Sequence, residues 1–258
     1  RVDITSSREI ANRIQSASVV INAAGRTGRP NVDECEVLKE ETYRSNVIGP
    51  LTLASVCAEV GAHFIHLASG CIFSGPSPHS RFIQTRYDAA DDTGWRESDP
   101  PNPQSYYAKT KAAADLCLAD LPNVAILRLR MPIDSFPHPR NLITKISNYK
   151  QVIDVVNSVT VVEDLVAVVR QVAERRLTGI FHATNPGIVS HRDILRLYRE
   201  IVDPAHRSEF IPEEELVARG LASAPRSNAI LSSTRLEVAG IQMRPIDEAL
   251  RDAMEKYG

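Results

Sequence analysis

The sequence predicts an α/β fold, a doubly wound parallel sheet carrying a smaller C-terminal lobe. Three observations predict it. Short β-branched apolar runs alternate with helix-patterned segments through the first half. Those runs are almost continuously apolar, as strands covered on both faces must be. The rhythm then breaks at a Pro-rich passage, residues 131–139, and the second half is less regular.

The elements follow in order. After a short run at residues 1–4, Ser6 with Glu9 three positions on makes a capping box, and Ile10, Ala11 and Ile14 form a helical stripe. Val19-Val20-Ile21 is too short for a helix and reads as a buried strand. Residues 34–59 read as a helix bent near Pro50, and 63–67 as the next strand. A long loop rich in Pro, Gly, Ser and Asp covers 69–104; loops of that length commonly carry function. Residues 105–121 are helical and 124–129 a strand. Helices are expected at 141–149, 161–175, 190–201 (capped by Ser190) and 246–257, with a strand at 179–183. This divides the chain into a dinucleotide-binding core, 1–130 and about 150–183, and a substrate lobe, about 131–149 and 184–258.

Composition removes several function classes. Of 258 residues, 43% are hydrophobic and 24% charged, which is ordinary for a globular chain and excludes disordered, collagenous and coiled-coil proteins. Thirty basic residues against 32 acidic ones leave a net charge of −2, so no bulk field attracts nucleic acid or an anionic membrane. No apolar run approaches the ~18–20 residues of a membrane span. The cysteines Cys35, Cys57, Cys71 and Cys117 are scattered and read as reduced thiols of a cytoplasmic protein. Neither they nor the seven His have metal-ligand spacing, so no metal is expected. Asp91-Asp92 and Glu213-Glu214-Glu215 read as solvated faces, the latter also as a helix N-terminus.

The sharpest chemical signal is Tyr107 and Lys111 at the start of the 105–121 helix. Residues four apart share a helix face, and an ammonium there can stabilise a phenolate and lower the Tyr pKa. Chance supplies about one such pair in six chains of this composition, so the spacing alone is weak. Context strengthens it: strand 63–67 ends at Ala68-Ser69-Gly70-Cys71, with a hydroxyl and a thiol at a carboxyl strand end. The preceding strand ends at Asn22-Ala23-Ala24-Gly25, whose small residues allow close approach of a ligand, and Asn46 lies in the helix between.

A Ser, a Tyr, a Lys and a helical Asn in this arrangement resemble the extended short-chain dehydrogenase/reductase superfamily, with its Rossmann-like sheet. Longer strings narrow the resemblance: NAAGRTGRPNVD at 22–33, SGCIF at 69–73, RMPI at 130–133, PRNLITKI at 139–146, TNPGIVSH at 184–191 and APRSN at 224–228. They look like the nucleotide-rhamnose synthase epimerase/reductases of plants and their viral and microbial relatives. That resemblance implies NADPH as cofactor and a UDP- or dTDP-linked 4-keto-6-deoxyglucose as substrate, epimerised at carbons 3 and 5 and reduced at carbon 4. It leaves UDP or dTDP open, and oligomeric state too, family members being often homodimers through a helical face.

The resemblance also assigns roles. Ser69 would hold the 4-keto oxygen, Tyr107 protonate it, Lys111 bind the nicotinamide ribose, and Asn46 support a relay water. Asp3 and Ile4 would meet the adenine; Asn22, Ala23, Ala24, Gly25, Arg130 and Pro132 would line the cofactor. Arg26, Arg29, Asn31, Gly70, Asn141 and Arg226 would border the sugar and diphosphate, an Arg fork suiting a diphosphate. For Arg26 and Arg29 the plainer alternative is an exposed loop. Dehydrorhamnose reductases that do not epimerise usually carry Tyr where this chain has Cys71. A Cys there, with Lys145 as the opposite acid, implies epimerase activity; read without the family, Cys71 is a buried small hydrophobe and Lys145 a solvated helix residue. A third reading is a non-catalytic binding subunit. The family's glycine-rich strand–helix turn, which holds a cofactor pyrophosphate at a helix N-terminus, is not in the sequence; Gly25-Arg26-Thr27-Gly28 follows an interior strand and is no substitute. The expectation is that roughly 45–60 residues precede the sequence given, one βαβ unit and its extensions.

Overall fold

The computed structural model describes residues 2–80 and 93–257. Arg1 and the Asp91-Asp92 pair lie outside the described residues.

The first half builds a sheet and its covering helices. Helix α1 (Ser7–Ile14) is followed by β1 (Val19–Asn22), α2 (Glu34–Val37) and α3 (Lys39–Tyr43). A π-helical turn, Arg44–Ile48, joins α3 to α4 (Gly49–Val60), and β2 (His63–Ser69) follows. Then come α5 (Tyr106–Leu118) and β3 (Val124–Leu129). The second half holds β4 (Pro132–Ile133), α6 (Leu142–Ser147), β5 (Gln151–Ile153), β6 (Val156–Asn157), β7 (Thr160–Val161), α7 (Val162–Arg175) and β8 (Gly179–His182). It closes with β9 (Val189–Ser190), α8 (His191–Ile201), β10 (Glu209–Ile211), α9 (Glu213–Ala218), α10 (Thr234–Val238) and α11 (Ile246–Glu255).

The described sheet has the order β1-β2-β3-β8, every pair parallel. Residues of β2 alternate between two buried clusters. Phe64 and Ala68 pack with Ile10, Leu53 and Leu118 on one face, while Ile65 packs with Leu127, Val168 and Val172 on the other. The predicted parallel sheet with helices on both faces is therefore what forms, and its strands end together at one carboxyl edge.

The lobe has its own core, where Ile133, Ile143 and Val161 meet Ile194, Leu250 and Met254. Two segments pack differently from the sequence-based division: Val152 and Val159 join the lobe core, whereas Leu236, Ile241 and Met243 pack against the sheet. Two short parallel pairs, β4–β7 and β5–β10, and the antiparallel β6–β9 knit the second half. They are two or three residues long, below the length at which alternation is readable.

Local chemistry departs from expectation at two N-terminal points. Ser6 accepts from the Glu9 amide at 3.4 Å, but the Glu9 carboxylate reaches past the cap to the Asp3 amide at 2.9 Å, so the box is half made. The helix expected over 34–59 breaks at Leu38, where φ/ψ are −94°/60°, and loosens into the π turn at 44–48. Pro50, near which the bend is expected, sits in the first turn of α4, directly after that π turn.

Candidate active site

β2 extends two residues beyond the predicted strand, which makes Ser69 its last residue. A 3-10 turn, Gly70–Ile72, follows, and Ser69 Oγ accepts from the Cys71 amide at 3.2 Å. A hydroxyl and a thiol thus stand on one turn at the carboxyl edge of the sheet. Glycine is required between them, because an added Cβ at Gly70 would collide with Leu231 Cδ1 from the C-terminal segment.

Helix α5 brings the second set. Ser105 caps it, Oγ accepting from the Ala108 amide at 3.2 Å. Tyr107, Lys111 and Asp115 then fall on one buried face at four-residue spacing. Burial pushes the Tyr107 phenol well above its ordinary value, and the neighbouring Cys71 adds to this, against the polar contact with Ser69. The expectation that Lys111 lowers the Tyr107 pKa is corrected here, since desolvation outweighs what favours the phenolate. A phenol that keeps its proton is an acid, the form a reduction consumes. Lys111 is itself held below its ordinary value by burial, with Asp115 pulling the other way.

Asn46, 0% exposed in the π turn, closes the site from the side of α3 and α4. Its Oδ1 accepts from the Arg26 amide at 2.7 Å; its Nδ2 donates to the Arg26 carbonyl at 2.9 Å and to Thr110 Oγ1 at 3.3 Å. These bonds clamp the loop after β1. Π-helical turns often mark functional sites, and here the turn aims a side chain at that loop. Asn22 shapes the same loop, accepting from the Ala24 amide at 3.0 Å, with its amide nitrogen 3.0 Å from His66 Nδ1. A Cβ added at Gly25 would lie 3.4 Å from Asn46 Oδ1 and 3.8 Å from Lys111 Nζ. The backbone of residues 22–25 is therefore open beside Lys111, whose ammonium makes no hydrogen bond among the described residues and is 5% exposed. A buried donor lacking an acceptor, next to a stretch of small residues, suits the ribose hydroxyls of a dinucleotide, so the residues present fit that end of the cofactor.

Other sequence-predicted residues lie elsewhere or point elsewhere. Arg26 is paired with Glu34 at 2.9 Å and Glu41 at 3.0 Å. The Arg29 amide donates to Glu34 at 3.1 Å, and Asn31 Oδ1 accepts from the Asp33 amide at 2.8 Å. Arg226 makes a two-pronged pair with Asp33, both contacts 2.8 Å, which ties the C-terminal segment to the loop after β1. Asp3 accepts from Thr5 within its own exposed turn, and Ile4 packs on Gly49. Exposed Pro132 opens β4. Asn141 caps α6 and donates to the carbonyls of Asp134 at 2.7 Å and Phe136 at 2.9 Å, so its amide serves its own loop. Lys145 is partly buried on α6; desolvation and then the charges of Arg140 and Arg226 hold it below its ordinary value. The resemblance puts Arg130 on the cofactor, whereas its guanidinium contacts Cys71 Sγ at 3.1 Å and Ser227 Oγ at 3.1 Å.

Sequence reasoning did not single out Asp115 and Arg128, which form a buried pair at 2.8 Å beneath Lys111. The signal was available, Asp115 lying four residues after Lys111 and eight after Tyr107. Among the described residues no group of three or more His, Cys, Asp or Glu side chains could hold a metal ion, and no helix is long and apolar enough to cross a membrane.

The chain is similar to known proteins. Over 235 residues the chain is 44% identical to the bifunctional dTDP-4-dehydrorhamnose 3,5-epimerase/dTDP-4-dehydrorhamnose reductase of Arabidopsis thaliana, covering 90% of this chain and 75% of that protein. It is 42% identical to a trifunctional UDP-glucose 4,6-dehydratase/UDP-4-keto-6-deoxy-D-glucose 3,5-epimerase/UDP-4-keto-L-rhamnose-reductase of the same plant, where 90% of this chain spans 33% of that protein's length. The crystal structure of a UDP-rhamnose synthase from Acanthamoeba polyphaga mimivirus superposes with a TM-score of 0.89 at 31% identity, over 99% of this chain and 88% of that one. The family described as the RmlD substrate binding domain matches residues 1–258, and the chain belongs to it.

Proposed function

We propose that this protein reduces the 4-keto group of a UDP- or dTDP-linked 4-keto-6-deoxy sugar with NADPH, and that the same site first epimerises carbons 3 and 5. The observation that carries the reading is the convergence of Ser69, Cys71, Tyr107 and Lys111 at the carboxyl edge of the sheet, beside the open backbone at Gly25. Relatives named for these reactions and the family membership support it.

Bound at the Gly25–Lys111 end, NADPH would supply the hydride equivalent to carbon 4. Ser69 would donate a hydrogen bond to the keto oxygen. Tyr107, kept protonated by burial, would hand its proton to that oxygen as it becomes a hydroxyl. Lys111 would hold the ribose, and its charge would favour the phenolate left behind.

For epimerisation, a Cys71 thiolate would take the proton from carbon 3 or 5, forming S–H as the C–H bond breaks. The electron pair would move to the keto oxygen, where Ser69 and Tyr107 stabilise the enolate. Lys145 would return a proton from the other face. Its lowered value and the nearby Arg226 charge support an ammonium that gives up its proton readily.

The test is NADPH consumption with each keto sugar, by the native protein and by Tyr107→Phe. The variant should lose reduction by about 100- to 10,000-fold, the usual worth of a positioned proton donor. Near-native consumption would remove Tyr107 from the mechanism.

A further inference from the structure

Arg130 is 1% exposed and among the largest fully buried side chains of the described core. Its Nη1 contacts Cys71 Sγ and Ser227 Oγ, each at 3.1 Å; its Nη2 donates to Asn157 Oδ1 and to the Ser227 carbonyl. Its Nε has no partner. None of these acceptors is a carboxylate. A buried guanidinium is costly unless an anion compensates it, and Arg128, two residues earlier on β3, has Asp115 for that purpose. Among the described residues, the Cys71 thiol is the one hydrogen-bond partner of the Arg130 guanidinium that can become an anion.

Met131, directly after Arg130, adopts φ +42°, a left-handed conformation that is strained in a residue with a side chain. The Arg130 amide is fixed by Thr160 Oγ1 at 3.0 Å, and Gly70, beside Cys71, has the Arg130 side chain at van der Waals distance from where its Cβ would be.

We propose that Arg130 is the positioning residue that holds Cys71 as its thiolate, the base of the epimerisation, through the Nη1–Sγ contact. This rests on the epimerase reading above and adds the group that arms its base. Other titratable groups face the pair: Tyr107 and Lys111 from α5 act on Cys71, and His191 at the start of α8 is held below its ordinary value by burial, against its hydrogen bond to the Ile153 carbonyl, with the Arg130 charge adding to the burial and Asp154 opposing it. Thiolates are stabilised beside Arg and Lys in this way, and only the thiolate takes a proton or attacks an alkylating agent.

The experiment uses the full-length protein and iodoacetamide, with sites of alkylation read by peptide mass spectrometry. In the native protein Cys71 should react faster at pH 7 than Cys117, although Cys117 is the more exposed. In Arg130→Gln the rate of Cys71 alkylation at pH 7 should fall by about tenfold or more. In Arg130→Lys, which keeps the charge and loses the fork, it should stay closer to native. Deuterium incorporation from heavy water at pH 7 should fall with it in Arg130→Gln, while reduction of a pre-epimerised 4-keto-rhamnose nucleotide persists. Slower reaction of Cys71 than Cys117 in the native protein would overturn the proposal even if Arg130→Gln does not fold. So would equal falls in the Lys and Gln variants, which would make the role of Arg130 one of packing. If instead Cys71→Ser exchanges deuterium at the native rate, the epimerase reading fails, and the alkylation rates still report on the Arg130–Cys71 contact alone.

Discussion

Asn46 and the Arg26 peptide unit bond reciprocally: the Arg26 amide donates to Asn46 Oδ1 at 2.7 Å, and Asn46 Nδ2 donates to the Arg26 carbonyl at 2.9 Å. A side chain from the π turn thereby fixes the loop after β1 and, one residue earlier, the open backbone at Gly25. Removing it strands two part-buried backbone groups. Asn46→Ala should cost about 1–3 kcal/mol, read by denaturant unfolding. NADPH affinity should fall as well, and unchanged affinity would separate the clamp from the cofactor end.

Asp115 compensates two cations, Arg128 by direct contact and Lys111 through its field. Asp115→Asn leaves a buried guanidinium without its partner and should cost about 3–5 kcal/mol. It also removes the charge that raises the Lys111 value, so Lys111 should lose its proton at lower pH. The alkaline limb of the reduction rate should move to lower pH in the variant, and an unmoved limb would mean that Lys111 does not govern it.

Burial, with the charge of Arg128 next, lowers the His182 value from 6.5 to about 3. A folded-state value below the unfolded one means the fold excludes a proton that the unfolded chain takes up. This contribution is complete above about pH 6.5 and is lost progressively as pH falls toward 3. Unfolding free energy should decline over that window, and His182→Gln should flatten the decline. An identical slope in the variant would place the acid sensitivity elsewhere.

The fold's main layer was legible because β2 and β3 are mostly apolar runs, broken only by His66 and Arg128 in their interiors, and α5, α7 and α8 carry good caps or strong periodicity. Ser69, Cys71, Tyr107 and Lys111 were legible because strand ends and four-residue helix spacing place side chains without knowledge of tertiary contacts. The π turn was not, since the sequence suggests only a bend near Pro50 and not the extra residue at 44–48. Nor was the setting of Arg130: its acceptors Asn157 and Ser227 are 27 and 97 residues distant, and only folding reveals that none is acidic. Asn141 shows the converse, a family string whose Asn has an evident local use as a helix cap.

The central claim is that one site moves protons at carbons 3 and 5 and then reduces carbon 4. Its most direct test is the keto sugar nucleotide in heavy water, first without NADPH and then with it, for the native protein and Cys71→Ser. The native protein should place deuterium at both carbons before NADPH is added and consume NADPH afterwards. Cys71→Ser should incorporate none, yet still reduce a pre-epimerised 4-keto-rhamnose nucleotide. Native protein that consumes NADPH without incorporating deuterium would contradict the two-reaction account and leave a plain reductase; no turnover of either kind would contradict the catalytic account altogether.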